Sequence, residues 1–350
     1  MSASVLSAGA PVVLVTGGAG YIGSHVCVEL VAAGFRPLIV DNFCNSKPSV
    51  LDRIAAISGY RPQVHRLDVN NKAELQAVFA EHNIAAVMHF AGLKAVGDST
   101  RMPLTYYRDN VAGAMTLCEV MAEYSVDCII FSSSATVYGE PVSVPIGETF
   151  ARNPESPYGR SKLMVEQILE DVAQAPESRW KIGLLRYFNP VGAHPSGLIG
   201  EDPAGTPNNL VPYVAQVAIG KRKKLSVFGN DYATPDGTGV RDYIHVVDLA
   251  LGHVAALKKL MATAPGCYAY NLGTGTGISV LEVIKAFEAA SGKSIAYEFC
   301  PRRPGDIGAY YADPAFAEAE LGWRAQFNLL QMMEHAWHWQ ANNPDGYPEN

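Results

Sequence analysis

Tyr158 and Lys162 stand four positions apart in the stretch Tyr158-Gly-Arg-Ser-Lys162. On a helix, residues at that spacing share one face. A phenol is a poor base at neutral pH, because its unperturbed pKa is about 10. An ammonium beside it favours the phenolate, so the pair can accept a proton near pH 7. Two further signals precede the pair. A glycine-rich turn, Thr16-Gly-Gly-Ala-Gly-Tyr-Ile-Gly23, opens the chain, and a hydroxyl cluster, Ser132-Ser-Ser-Ala-Thr-Val-Tyr138, lies between. A tyrosine and lysine at this spacing occur on many helices, and a serine run after a strand is often a cap or turn. Their order behind a dinucleotide-type turn is what points to hydride chemistry on a carbinol, with one serine hydroxyl relaying the proton.

The turn contains Gly18-x-Gly20-x-x-Gly23 and also Gly17-x-x-Gly20-x-x-Gly23. Glycines there bring bare backbone close to a pyrophosphate at a helix N-terminus. The motif follows a strand, opens a helix and precedes an acid, Asp41, about 20 residues on. A carboxylate at Asp41 accepts from the adenosine ribose hydroxyls and repels a 2′-phosphate, which favours NAD over NADP. Asp68-Val69 could meet the adenine, and Phe90-Ala91-Gly92-Leu93-Lys94 could line the cofactor trough. Lys94 reads equally well as a solvated loop lysine.

These positions need a frame to hold them. The apolar run at 12–15 and the segments 37–40, 64–67, 85–90, 128–131 and 182–185 read as strands. Helical spacing falls at 21–33, 71–81, 103–124 and 157–173. Alternation of this kind predicts an α/β fold, a Rossmann-type doubly wound parallel sheet. After Arg186 the regularity breaks, and Gly, Pro and Asn crowd 189–209. A helix at 210–220 and a strand at 225–228 follow. The expected organisation is a leader at 1–10, an NAD-binding unit at 11–188 and a smaller α/β lobe at 189–350 that binds the substrate. A segment near 242–259 is expected to return to the first unit.

The chain has 350 residues, enough for two domains. Its net charge of −7 gives no sign of nucleic acid or of an anionic membrane. The one basic run, Lys221-Arg-Lys-Lys224, reads as a solvated surface segment. Six cysteines form no C-x-x-C pair and no metal spacing, so reduced thiols in a cytoplasmic protein are expected, with no metal. No apolar run approaches the length of a membrane helix, and the first ten residues lack the features of a signal peptide.

The chain resembles the extended short-chain dehydrogenase/reductase family, and most closely its UDP-glucose (UDP-galactose) 4-epimerase branch. The stretches that carry the resemblance include VTGGAGYIGSH (15–25), DNFCNS (41–46), HFAGLKAVG (89–97), FSSSATVYG (131–139), SPYGRSKLMVEQIL (156–169), LLRYFNPVGAHPSG (184–197), PNNLVPY (207–213), DGTGVRDYIHVVDLA (236–250) and PRRPGD (301–306). They span the chain from about residue 11. The resemblance implies reversible inversion at C4 of UDP-glucose and UDP-galactose through a 4-keto-hexose, with transient reduction of bound NAD, as in galactose metabolism. It implies Tyr158 as the base, Lys162 as its partner and a contact to the nicotinamide ribose, and Ser134 as the bridge to the sugar 4-hydroxyl. For the cofactor it implies Gly17, Gly20, Tyr21, Ile22, Gly23, Asp41, Asn42, Phe43, Cys44, Asn45, Ser46, Asp68, Val69, Phe90, Ala91, Gly92, Lys94, Asn110, Ser132 and Tyr187. For the UDP-sugar it implies Lys94, Ala135, Thr136, Asn189, Asn208, Asn209, Leu210, Ser226, Val227, Phe228, Arg241, Arg303, Asp306 and Tyr310, the last as a size gate beside C2 of the sugar. Tyr310 could instead be packed under a neighbouring loop.

Three rivals make different demands. A nucleotide-sugar dehydratase of the same fold carries an acid pair after a threonine, where this chain reads Ser134-Ala135-Thr136. A UDP-glucuronate decarboxylase would release CO2. A non-catalytic NAD-sensing protein has no need of an intact Ser/Tyr/Lys set. The resemblance also implies a homodimer built from helices near 101–124 and 157–173, and Leu163, Met164, Gln167 and Ile168 give the second helix more apolar surface than its own sheet needs.

Overall fold

The computed structural model describes residues 6–7, 9–303 and 305–348; part of the expected leader, residues 1–5 and 8, lies outside them. Strands in chain order are β1 (Val12–Thr16), β2 (Arg36–Asp41), β3 (Gln63–Arg66), β4 (Ile84–His89), β5 (Cys128–Ser132), β6 (Lys181–Tyr187), β7 (Asn189–Val191), β8 (Leu225–Phe228), β9 (Val240–His245), β10 (Gly266–Leu272), β11 (Gly277–Ser279), β12 (Tyr297–Cys300) and β13 (Ala309–Tyr310). Seven of them form one sheet in the order β10-β6-β5-β4-β1-β2-β3. Every pairing in it is parallel. Strands β1 and β5 are buried along their whole length, as the runs VVLVT and CIIFS require when helices cover both faces. The strand order reverses between β1 and β4, and there the architecture leaves a crevice at the carboxyl ends of the strands.

One apolar core packs the helix Tyr21–Ala32, through Val26, Cys27 and Leu30, against Leu249, Val254 and Leu257 of the helix Val246–Ala262. The other packs Leu117 and Val120 against Val165 and Leu169 of the helix Pro157–Gln174. The chain returns to this sheet in two pieces, Val246–Ala262 on its face and β10 at its edge. Residues up to His245 are strand β9 of the smaller sheet, and the helix Val246–Ala262 follows it directly. The seventh strand, β10, has no counterpart among the expected strands. It pairs with β6 although it lies far along the chain, because the intervening segment forms most of the second lobe.

In that lobe β9 is central, flanked by β7, β11 and β13, while β8 and β12 make a separate two-stranded parallel ribbon. Helices Leu210–Ala218, Val280–Ser291 and Leu329–Asn342 close a third core around Val214, Phe287 and Met333.

The helix expected at 103–124 is interrupted. Pro103–Tyr106 and Gly113–Glu123 are α-helical, but Tyr107–Ala112 is a π-turn. Such turns concentrate at functional sites, and this one carries Asn110.

Candidate active site

Gly17 leaves β1 with a φ of +70°, a conformation glycine adopts freely. A Cβ on Gly23 would stand 2.3 Å from the Gly17 carbonyl oxygen, so the loop closes onto the helix only with glycine there. The helix Tyr21–Ala32 begins at Gly20 with no side-chain cap and no acid in its first turn. Its first turn therefore carries no competing carboxylate of its own and suits a pyrophosphate. Asp41 ends β2 and is buried; its Oδ2 accepts from the Ala19 amide at 3.0 Å. Its Oδ1 accepts from the Phe43 amide at 2.8 Å and from Ser46 Oγ at 2.9 Å. Phe43 holds a φ of +58°, uncommon for a bulky residue, and that bend wraps Cys44 and Asn45 around the carboxylate. Asn42 donates to Asp68 Oδ2 at 3.0 Å, which joins the β2 and β3 ends into one rim beside Val69. These features fit a dinucleotide: a bare glycine loop, an uncapped helix start and a carboxylate beyond the second strand.

Across the switch point, the Phe90 amide donates to the Thr16 carbonyl at 3.0 Å. The loop through Ala91 and Gly92 is pinned by Asn110, whose Oδ1 accepts from the Leu93 amide at 2.7 Å. Its amide nitrogen donates to the Leu93 carbonyl at 3.1 Å and to Ser161 Oγ at 3.0 Å. Asn110 thus shapes the trough by holding its wall. Tyr21 is tied away from the loop and donates to the Gly192 carbonyl at 2.7 Å, while Ile22 packs into the core.

The hydroxyl cluster leaves β5 and meets the helix Pro157–Gln174. Tyr158 and Lys162 are both buried on that helix. Burial pushes the Tyr158 phenol well up, Tyr187 adds to the rise, and a hydrogen bond with Ser134 opposes it. Ser132 Oγ and the Tyr187 hydroxyl share a hydrogen bond of 2.6 Å. Ser134 Oγ accepts from the Thr136 amide at 3.2 Å and from Thr136 Oγ1 at 3.0 Å, with Ala135 between them at the start of a short 3-10 turn.

The expected coupling of Lys162 to the phenol takes a different form. Its Nζ donates to the Ser132 carbonyl at 2.8 Å and lies 5.9 Å from the centre of the Tyr158 ring. The carbonyl at the end of β5 is a strong acceptor within reach of that side chain, so the ammonium settles there. Burial draws Lys162 down to about 8, against the pull of Glu166.

Glu166 belongs to the site although its spacing alone does not single it out. Fully buried, it accepts from Ser133 Oγ at 2.5 Å and from Arg186 Nη2 at 2.8 Å. Arg152 Nη1 completes the set at 3.0 Å. Two guanidiniums, those of Arg152 and Arg186, face this enclosed carboxylate and offset the cost of burying it. It fixes Ser133, and with it the hydroxyls on either side. The one signal in the sequence is an acid four residues beyond Lys162 on a face that must be buried.

The residues expected at the UDP-sugar lie on the second lobe and on the loops facing it. Asn209 starts the helix Leu210–Ala218, whose N-terminus also has no side-chain cap; neighbouring Asn208 is exposed. Glu201 Oε1 accepts from Asn209 at 3.0 Å and from Lys94 Nζ at 3.0 Å, which joins the two lobes. Asn189 donates to the Asp242 carbonyl at 3.1 Å. Arg241 donates to the Ile307 carbonyl at 2.8 Å. Arg303 donates to Asp306 Oδ2 at 2.8 Å and lies 4.7 Å from the ring centre of Phe228, next to Ser226 and Val227 on β8. Tyr310 is buried against Phe188, ring centres 5.6 Å apart, and its hydroxyl donates to the Ala135 carbonyl. It is therefore packed, yet packed against the wall that carries Ser134.

Residues 14–336 match the family model described as GDP-mannose 4,6 dehydratase. The chain is 58% identical to UDP-glucose 4-epimerase of Yersinia pestis, with 96% of this chain and 99% of the relative covered. It is 57% identical to the enzyme of that name from Bacillus subtilis (strain 168), with 96% and 98% covered. Among solved structures, UDP-glucose 4-epimerase from Bifidobacterium longum in complex with NAD+ and UDP superposes with a TM-score of 0.93 at 54% identity, covering 96% of this chain and 100% of that one. A dehydratase would need an acid beside the hydroxyl cluster, where Ala135 and Thr136 stand. Fold, site and relatives agree, and the chain belongs to the UDP-glucose 4-epimerase family of the extended short-chain dehydrogenases/reductases.

Proposed function

We propose that Tyr158, Lys162 and Ser134 carry, in this chain, the family's reaction: reversible inversion of C4 in UDP-glucose and UDP-galactose. The observation that supports it is their convergence at the end of β5, on the same carboxyl edge of the parallel sheet as the glycine loop and Asp41. Gly17, Gly20 and Gly23 would hold the NAD pyrophosphate, and Asp41 the adenosine ribose. NAD held there would supply reversible hydride acceptance at C4 of the sugar.

The protein's own work is proton transfer and anchoring. Ser134 links the 4-hydroxyl to Tyr158, which takes the proton and later gives it back. Burial makes the phenol a weak acid, so positive charge must gather near it for the phenolate to form. Lys162 supplies one such charge within the same pocket. Arg241 and Arg303 suit a pyrophosphate, because guanidinium groups meet its oxygens in pairs. The uncapped helix start at Asn209 adds backbone donors. Binding energy concentrated on the UDP part leaves the sugar free to turn between the two hydride transfers.

The test is to offer the purified protein UDP-galactose with no cofactor added. Formation of UDP-glucose supports the reading. CO2 release from UDP-glucuronate, loss of water from the sugar, or no reaction would replace it with one of the rivals.

Two coarser properties accord with this function. Among the described residues no helix is long and apolar enough to cross a membrane, and a cytoplasmic location accords with six free cysteines. A homodimer accords with Met102, Leu104, Met115 and Met164, all exposed on or beside the two helical segments expected to pair. We also propose the division into an NAD-binding unit and a substrate lobe.

A further inference from the structure

The edge of the large sheet away from the active site carries an unexpected cluster. His65 lies on β3, the outermost strand, and His82 ends the helix Lys72–Glu81. They are 17 residues apart, yet their Nε2 atoms stand 3.0 Å from each other. The ring centres are 5.2 Å apart with planes at 71°. Glu81 Oε1 lies 3.8 Å from His82 Nε2. The Gln63 side-chain amide lies 3.4 Å from His65 Nε2 and 3.5 Å from His82 Nε2. The ligand atoms of His65, Glu81 and His82 all lie within 4.8 Å of one another.

We propose that His65, Glu81 and His82 form a binding site for one divalent transition ion, zinc or a near neighbour, that fastens the edge strand to the helix beside it.

The chemistry of the donors supports it. Two neutral imidazoles that meet through Nε2 can share only one proton, so at least one lone pair always points into the gap. An ion about 2.0–2.1 Å from each nitrogen spans this separation at an N–metal–N angle of about 95° once the rings pivot slightly. Two histidines and one glutamate are an established zinc donor set, with a fourth position left for water. The imidazoles bind a metal in their neutral form. Glu81 is 61% exposed, which leaves an entry path from solvent, while the His82 side chain is only 17% exposed and is held in place. Gln63 can turn its carbonyl oxygen toward a ligand water. The sequence hides this cluster because neither histidine lies in a metal-binding spacing. His65 pairs with Val40, which pairs with Thr16, so the cluster lies two strands across the sheet from the start of the glycine loop.

The test uses tag-free, full-length protein treated with a chelator and then dialysed. Titration with Zn2+ by calorimetry should give one site per chain of micromolar affinity or tighter, and Co2+ should give visible absorption bands. His65→Gln and His82→Gln should each weaken binding by more than the roughly tenfold that loss of an outer-sphere partner costs, and the double variant should abolish it. Glu81→Gln should weaken it less. Turnover of the double variant should match the unmodified protein, which also shows that it folds. No binding by the unmodified protein overturns the proposal, as does equal binding by the double variant.

Discussion

The two halves of the active site are prepared in different ways. On the cofactor side, Asp41 accepts from Ala19, Phe43 and Ser46, Asn110 from the Leu93 amide, and the Val40 carbonyl from the Gly17 amide. A dinucleotide would meet them as they stand. On the substrate side the charged groups are paired with each other: Arg303 with Asp306, and Lys94 with Glu201. A UDP-sugar must compete for those groups before it gains them. Ion pairs whose cation stands in solvent are worth little, typically under 1 kcal/mol, so the exchange is easy. The contrast suits a cofactor that stays and a substrate that leaves on every turnover.

Between the halves stands Tyr158, and its removal should have the largest effect. Tyr158→Phe should lower turnover by about 10²–10⁴-fold, the usual share of a general base, while the protein keeps its fold and its NAD. Near-normal turnover would move the proton-transfer role elsewhere.

Lys162 tests how firmly the cofactor side is built. Its pKa is lowered from 10.5 to about 8 by burial, which Glu166 opposes. Above pH 8 the folded protein gives up this proton while the unfolded chain keeps it until about 10.5. The unfolded state then binds more protons, so this group's contribution to stability rises with pH over that window. Below pH 8 the cost of the buried charge is present in full. Lys162→Met should therefore be more stable than the unmodified protein at pH 7, by about 3 kcal/mol. That gap should close as the pH approaches 10.5, read by urea midpoints. A gap independent of pH would show that Lys162 is not the titrating group.

On the substrate side, Arg241→Ala and Arg303→Ala should each raise KM about ten- to a hundredfold, the worth of a hydrogen bond to a charged group. Arg303→Ala should leave thermal stability within about 0.5 kcal/mol, since its side chain is exposed. A loss of stability without a change in KM would reverse the contrast between the two sides.

The smallest effect expected is in sugar selectivity. Tyr310 fills the space beside Ala135 and Phe188. An acetamido group there would overpack the wall at a cost of about 1–3 kcal/mol, or roughly tenfold and more in preference for glucose and galactose over N-acetylhexosamines. Tyr310→Cys should narrow that preference, and Tyr310→Phe, which keeps the ring, should not. Comparable use of both sugar classes by the unmodified protein would remove Tyr310 as the gate.

What can be read from the sequence follows the same divide. Most of the first six strands announce themselves as short apolar runs, clearest where a strand is buried on both faces; β3, QVHR at the sheet edge, is the exception. The glycine turn, Asp41, Ser134, Tyr158 and Lys162 sit at or near their ends, where local sequence and strand order agree. The seventh strand escapes because β10 lies at the sheet edge, is partly exposed over Gly266–Ala269, and returns after most of a lobe of other structure. The π-turn at Tyr107–Ala112 has the composition of an ordinary helix, and only its backbone distinguishes it. The Lys162 contact to Ser132 and the Glu166 network depend on which neighbour is nearest in space. Spacing along one helix says which side chains share a face, not what that face meets.

The central claim is that C4 loses and regains the same hydrogen inside one closed site, with Tyr158 moving only the hydroxyl proton. The most direct measurement is conversion of UDP-galactose carrying deuterium at C4, in ordinary water, by protein with no cofactor added. Recovery of UDP-glucose with the deuterium still on C4 is the expected result. Product that has exchanged its C4 deuterium for solvent hydrogen would contradict it.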